Sequence, residues 1–250
     1  MKKIIFWVMG NEKVVLVFSF LRYYISWFFD KNSERRLFFE KIQPYTMVSY
    51  KRLSHLWDIV SELERKKIKG NYVECGVWKG GSAAIMAYLA QKHNSDRQIH
   101  LFDSFEGMPE PTVIDGERAA IFSGGKTSGK QKAIGKTVGV IEEAKKLFFS
   151  ELELDKKNIV FHKGWFQSTI PANKELIGKI AVLRIDADWY ESVKVCLEEL
   201  YNQVIPGGYI IFDDYGFWPG CKKAVKEFFQ KRKINSRLQK IDISGTFFRK

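Results

Sequence analysis

Three cysteines in 250 residues are too few for a disulfide-stapled scaffold. Cys75, Cys196 and Cys221 share no metal-ligand spacing, and each lies in an apolar or helical context, which fits buried thiols in a reducing compartment. Histidine is nearly as scarce. His55, His93, His100 and His162 form no H-x-x-x-H pair, so the spacing gives no support to zinc. Acids are outnumbered, with 29 Asp+Glu against 41 Lys+Arg, yet no helix-turn-helix, zinc-finger or RNP signature accompanies the net charge of +12. The basic runs Glu64–Lys69 and Lys231–Lys233 fall at the ends of predicted helices and read as solvated faces, which argues against a nucleic-acid partner.

A long uncharged apolar run is missing too. Val14–Phe29 carries Arg22 at its middle, is short for a membrane span, and would place an expensive charge in lipid. The shorter run before it lacks an A-x-A-like cleavage site. Residues 1–37 are therefore expected to form a hydrophobic, aromatic helical extension packed on the body or on a twin subunit. The alternative is an interfacial helix through residues 1–30, with Tyr23, Tyr24 and Trp27 at headgroup level. That would make a cytoplasmic protein peripheral at the inner face of the membrane. Residues 38–250 read as one domain, since a chain of this length can bury a single large core.

From Tyr50 onward the hydrophobic period alternates between helix and strand. Helices are predicted over 51–67, 82–93, 140–152, 192–204 and 221–233. Strands are predicted over 71–77, 98–104, 158–164, 180–186 and 208–214, with a closing hairpin at 238–250. Alternation of this kind means an α/β fold, a mainly parallel sheet with helices on both faces. The stretch 109–135 is long for a plain connection and is expected to be a mobile lid. Within it Gly124, Gly129 and Lys130 nearly match a P-loop. Gln131 replaces the Ser or Thr, and no strand leads in, so a flexible basic loop is expected there.

In such sheets ligands bind beyond the carboxyl ends of the strands. The distinctive residues cluster there. Glu74–Ser82 ("ECGVWKGGS") is a glycine-bearing strand–helix turn, in which Gly76 permits a tight turn and Gly80 and Gly81 permit close backbone approach to a ligand. No G-x-G-x-x-G accompanies it, which argues against an NAD enzyme. Asp103 ends the next strand, where an acid accepts hydrogen bonds from a ribose. Two further strands end on Asp186 and Asp188 ("IDADWY") and on Asp213 and Asp214 ("FDDY"). Carboxylates so close repel unless something positive lies between them. Mg2+ would serve, and so would Arg184, which shares a strand face with Asp186. Spacing alone leaves both open.

Taken together, "PYTMVSYKRL" (44–53), "YVECGVWKGGS", "LFDSFEGMP", "HKGWFQSTIP" (162–171), "LRIDADWYES", "IPGGYIIFDDYG" and "CKKAVKEFF" resemble the macrocin O-methyltransferase family of class I S-adenosylmethionine-dependent methyltransferases, in the same order and from about Gln43 onward. The resemblance implies a Rossmann-like sheet of seven strands, six parallel and one antiparallel. It implies Mg2+-assisted methyl transfer from S-adenosylmethionine to a hydroxyl, mostly on a sugar of a glycosylated metabolite. Carried over to this chain, it implies that Glu74, Gly76, Gly80, Gly81 and Ser82 surround the methionine part of the cofactor, that Asp103 and Ser104 hold its ribose, and that Met47 and Val48 close over it. Asp186, Asp213 and Asp214 would hold the metal, with Asp186 or Asp188 as the base. Trp189, Tyr190, Tyr215 and Trp218 would shape the acceptor pocket or else pack the core. The expected partners are a small-molecule or glycan acceptor and a second copy of the chain. A catechol or phenol O-methyltransferase and an inactive membrane-associated scaffold of the same fold are the competing readings. The basic charge and apolar N-terminus fit synthesis of a surface glycan.

Overall fold

The computed structural model describes residues 23–250. Two of the sequence expectations, the interfacial helix and most of the apolar N-terminal run, fall largely on residues 1–22, outside the described range. Residues 23–29 are helical. The Tyr23 hydroxyl donates to the Phe39 carbonyl, and its ring packs edge-on against Tyr50. Among the described residues no helix is long and apolar enough to cross a membrane.

Helix α1 (Ser33–Ile42) starts at an Asn32 cap that accepts from the Arg35 amide. Helix α2 (Tyr50–Arg65) starts at Ser49, which accepts from the Arg52 amide. The sheet then follows with β1 (Asn71–Cys75), helix α3 (Gly81–Lys92) and β2 (Ile99–Asp103). Two short helices, α4 (Glu117–Phe122) and α5 (Ile141–Lys146), precede β3 (Ile159–Lys163). Helix α6 (Phe166–Ile177), β4 (Ile180–Ile185), α7 (Tyr190–Leu200), β5 (Val204–Phe212), α8 (Pro219–Lys231), β6 (Gln239–Lys240) and β7 (Thr246–Arg249) complete the chain. The strand order is β3-β2-β1-β4-β5-β7-β6. The pairs from β3 to β5 are parallel, and β7 is antiparallel to both β5 and β6, so six strands share one direction and β7 opposes them.

The alternation of apolar residues sorts two cores onto the two faces. Tyr72, Val182 and Ile211 pack with Leu53, Leu56, Ile85 and Met86 of α2 and α3. Val73, Cys75, Leu183, Ile185 and Phe212 pack with Val193, Leu197, Val225 and Phe228 of α7 and α8. All three cysteines are free and buried.

Two helices escaped the sequence pattern. Helix α6 lies where the sequence suggested two strands in direct succession. Strand β3 is at the sheet edge and β4 beside β1, so the chain must cross over the sheet between them, and parallel strands need such a connection. Pro171 inside α6 hid it, because proline normally ends a helix. Helix α4 lies in the expected loop. That loop is braced rather than free, with bridges Pro109–Ala133 and Thr112–Ser128 and a Gly129 amide donating to the Pro111 carbonyl at 3.0 Å.

Register explains why functional groups gather at one edge. Phe102, Cys75, Ile185 and Phe212 form one row across β2, β1, β4 and β5. The ladder runs one step further. The Gly76 amide donates to Phe102, Asp186 to Cys75 and Asp213 to Ile185, at 2.8–3.0 Å. Asp103, Gly76, Asp186 and Asp213 therefore stand side by side.

Gly76 has φ +92°, and a Cβ there would overlap the Asp186 carbonyl. Gly76→Ala should cost about 2–4 kcal/mol through left-handed strain and overpacking, read as a lower urea midpoint. A second test concerns His100 and His162, buried neighbours on β2 and β3 whose ring nitrogens lie 3.0 Å apart. Burial, then His162, pushes His100 down to about 4. A depressed histidine binds its proton in the unfolded chain first, so its contribution is present above about pH 6.5 and is lost as the pH falls towards 4. His100→Phe should shrink the drop in urea midpoint between pH 7 and pH 5 relative to the parent chain.

Candidate active site

Glu74 on β1 is the register partner of Arg184 on β4. Asp186 is two residues on from Arg184, and Asp213 two on from Ile211, the β5 partner of Arg184. All four side chains thus project from the same sheet face. The buried Arg184 guanidinium donates to Glu74, to Asp186 Oδ2 at 2.9 Å and to Asp213 Oδ1. Burial opposes its charge, but Asp213, Asp186 and Glu74 outweigh that and hold its pKa well above the ordinary value. Arg52, one turn into α2, donates to Asp213 Oδ2 and lies 3.1 Å from Asp242 Oδ2. Ser244 of the β6–β7 turn donates to the Asp213 carbonyl at 2.8 Å.

Both oxygens of Asp213 are thereby committed to guanidinium groups. Of the three acids expected to hold a metal, Asp213 is thus paired with arginines in this structure. Among the described residues, oxygens of Asp186, Asp188 and Asp214 come within 4.8 Å of one another. Asp213 lies outside that group, because α2 and β4 each supply an arginine to it. The alternative that an arginine neutralises the acids holds for Asp213 and in part for Asp186, but not for Asp188 or Asp214.

The acids outnumber the bases here: Glu74, Asp186, Asp188, Asp213 and Asp214 face Arg52 and Arg184. Asp188 is pushed well above the usual carboxylate range by burial and then by Asp186. Asp214 is raised likewise by burial, then by Asp188 and Asp186. Asp214 Oδ2 is buried without a hydrogen-bond partner among the described residues. A hard cation with oxygen ligands fits this donor set. Asp188 has φ +54°, and its Oδ1 accepts from the Trp218 indole at 2.7 Å.

On the β1 side, burial lifts Glu74 to about 7 despite Arg184 and Ser82. Its Oε1 takes the Ser82 hydroxyl at 2.6 Å, and its buried Oε2 has no partner among the described residues. An orphaned carboxylate oxygen beside the glycine turn suits an ammonium group such as that of a methionine moiety. Asp103, expected to hold the ribose, accepts from three backbone amides. Its Oδ2 accepts from the Val77 and Trp78 amides and its Oδ1 from Phe105, at 2.7–2.9 Å. Trp78 and Phe105 both have positive φ, so Asp103 holds two strained turns in place. The Ser104 hydroxyl is likewise engaged within its own turn, with the Gly107 carbonyl.

The glycines serve close approach, but in the Cβ direction the neighbour is the protein itself. A Cβ on Gly80 would meet the Phe148 ring at 2.7 Å, and one on Gly81 would meet Thr46 and the Tyr45 carbonyl at 2.7 Å. This seats residues 45–48 against the start of α3. Val48 is half-buried there, and Met47 is 62% exposed at the rim.

Of the four aromatics expected around an acceptor, Trp189 and Trp218 are buried and packed edge-on at 4.7 Å. The Trp189 indole donates to the Pro109 carbonyl at 3.0 Å. Tyr190 points away, donating to Glu227 of α8. Tyr215 is half-buried, with the Lys222 ammonium 5.9 Å from its ring centre.

Sequence reasoning missed Asp115. It is fully buried, accepts from Thr112 N and Oγ1, and takes the Tyr190 amide on Oδ1 at 2.6 Å. Gly220 leaves no room for a Cβ beside it. The "PTVIDG" turn carries a Thr-x-x-Asp capping box, the one local signal that could have flagged it.

The family model described as Macrocin-O-methyltransferase (TylF) matches residues 32–250. The chain belongs to the macrocin O-methyltransferase family. Its chemistry is S-adenosylmethionine-dependent methyl transfer to oxygen. Demethyldecarbamoylnovobiocin O-methyltransferase of Streptomyces niveus is 33% identical over 210 residues, spanning 82% of this chain and 76% of that protein. The 8-demethyl-8-(2,3-dimethoxy-alpha-L-rhamnosyl)-tetracenomycin-C 4'-O-methyltransferase of Streptomyces olivaceus is 32% identical over 209 residues, spanning 82% and 75%. The solved O-methyltransferase NovP superposes with a TM-score of 0.72 at 32% identity, over 82% of each chain.

Asp115→Ala should release loop 116–138 from α7 without unfolding the sheet. Losing buried hydrogen bonds worth about 1–3 kcal/mol is expected to raise the rate of limited proteolysis within the loop by about tenfold or more, with the far-UV spectrum unchanged.

Proposed function

We propose that this enzyme methylates a sugar hydroxyl, using a divalent metal held chiefly by Asp186 and Asp214, with Asp188 accepting the hydroxyl proton. The observation that carries the reading is the Asp186–Asp188–Asp214 trio with its unpartnered Asp214 oxygen. The sugar is supported by the relative whose name specifies a rhamnosyl group. Mg2+ fits a site of one or two carboxylates that leaves positions for water and substrate.

S-adenosylmethionine supplies an electrophilic methyl on a sulfonium. The metal, when bound, supplies polarisation that lowers the pKa of a neighbouring hydroxyl. The chain's own residues do the rest. The acceptor oxygen forms its bond to the methyl carbon as the carbon–sulfur bond breaks, and the hydroxyl proton passes to Asp188. Trp218 fixes one Asp188 oxygen, and the other takes the proton. Arg184 holds Asp186 in place from the second side. Glu74 offers its free oxygen to the amino group of the methyl donor.

Calorimetric titration of S-adenosylmethionine, with and without MgCl2, tests the cofactor and the metal together. The Asp214→Asn variant is expected to bind S-adenosylmethionine but to lose the response to Mg2+. Asp188→Asn should keep both and lose at least about 100-fold in kcat, the usual range for a general base. Full turnover in Asp188→Asn would sink its assignment as base, and an undiminished Mg2+ response in Asp214→Asn would sink the metal site.

A further inference from the structure

Loop 116–138 carries Arg118, Lys126, Lys130, Lys132 and Lys136 against a single acid, Glu117. All five cations are exposed, and none forms an ion pair among the described residues. Lysines elsewhere do find acids, as Lys66 does with Glu62 and Lys174 with Glu199. Two of the five are held by ring faces instead. The Arg118 guanidinium lies 4.9 Å from the centre of Phe217, and the Lys136 ammonium 5.6 Å from that of Phe122. Both rings pack against Trp218, Phe217 at 4.8 Å and Phe122 at 5.8 Å, and Trp218 bonds Asp188. Two uncompensated cations therefore stand one aromatic layer beyond the proposed base.

Their placement is fixed. The Met108 amide donates to the Lys136 carbonyl at 3.1 Å, and Ile134 donates back to Met108 at 2.9 Å. Asp115 and the Trp189 indole tie residues 109–115 to the start of α7. The result is a basic rim, locked in register with an acidic centre.

We propose that the acceptor carries a phosphate or diphosphate group, and that Arg118 and Lys136 bind it while the sugar hydroxyl reaches Asp188. This rests on the methyl-transfer reading and deepens it to a substrate class, a glycosyl phosphate or diphosphate. A neutral glycoside would leave the rim unused. A phosphate gains charge-assisted hydrogen bonds from a guanidinium fork and an ammonium. Lys126, Lys130 and Lys132 add longer-range attraction that salt screens. Attached nucleotide and attached polyprenyl lipid both present the same diphosphate chemistry.

The test uses the full chain and the double variant Arg118→Gln/Lys136→Gln. UDP is titrated by calorimetry in EDTA, so that metal at the acid trio contributes nothing, at low and at high salt. Co-sedimentation with phosphatidylcholine vesicles, with and without a polyprenyl phosphate, reads the lipid source. S-adenosylhomocysteine is titrated separately as a measure of the cofactor site and of folding. The parent chain should bind UDP or the polyprenyl-phosphate vesicles. The double variant should lose at least about tenfold in that affinity, the scale of one charge-assisted bond, with S-adenosylhomocysteine binding unchanged. Whichever probe binds identifies the source. Failure of the parent chain to bind either probe, or equal affinity in the variant, overturns the proposal whatever S-adenosylhomocysteine does. Failure of S-adenosylhomocysteine alone overturns the methyl-transfer reading and leaves the phosphate site standing.

Discussion

One buried guanidinium holds this site together. Arg184 lies at the centre of the sheet and bonds to acids from β1, its own strand and the end of β5. Removing its charge would leave three carboxylates facing one another with little access to water, and breaking such a buried pair costs several kcal/mol. The sheet order puts β1, β4 and β5 side by side, and the register puts Glu74 opposite Arg184. The fold thus supplies the geometry and the arginine makes that geometry affordable. Arg52 completes the arrangement by taking up the second oxygen of Asp213.

The outcome is a division of labour among neighbouring acids that look alike. Asp213 has arginines on both oxygens and its carbonyl bonded by Ser244. Asp188 and Asp214, lying off the arginine side, keep a strong tendency to hold protons. Asp186 belongs to both groups, touching Arg184 while lying in reach of Asp188 and Asp214. Asp103 shows the same principle elsewhere, since three backbone amides turn it into a clasp for two strained turns. Position on the sheet, rather than residue type, decides which carboxylate is available for chemistry.

Much of this was legible in the chain. The alternation of apolar residues placed the parallel strands, and acids at their carboxyl ends had to meet because parallel strands end at one edge. The closing hairpin and the single opposed strand were legible as well. What could not be read was contact at long range. No local pattern links Arg52 to Asp213, so the pairing of Asp213 with two arginines was invisible. Helix α6 was masked by Pro171 and α4 by its brevity. The glycines of the β1–α3 turn looked suited to a ligand because glycine says only that something comes close. At Gly76 it is the Asp186 carbonyl, and at Gly81 it is residues 45–46. Asp115 lay in a stretch with no hydrophobic period to mark its burial.

The separations along the chain have a consequence for how the enzyme comes into being. Glu74 and Arg184 are 110 positions apart, and Arg52 and Asp213 are 161 apart. Contacts of this kind carry the entropy cost of closing long loops. Until α2, β1, β4 and β5 have all docked, the acids at their tips repel without a counter-charge. The electrostatic centre is complete only once all four elements are in place. No half of the sheet, expressed or exchanged as a module, would carry a working fraction of the site.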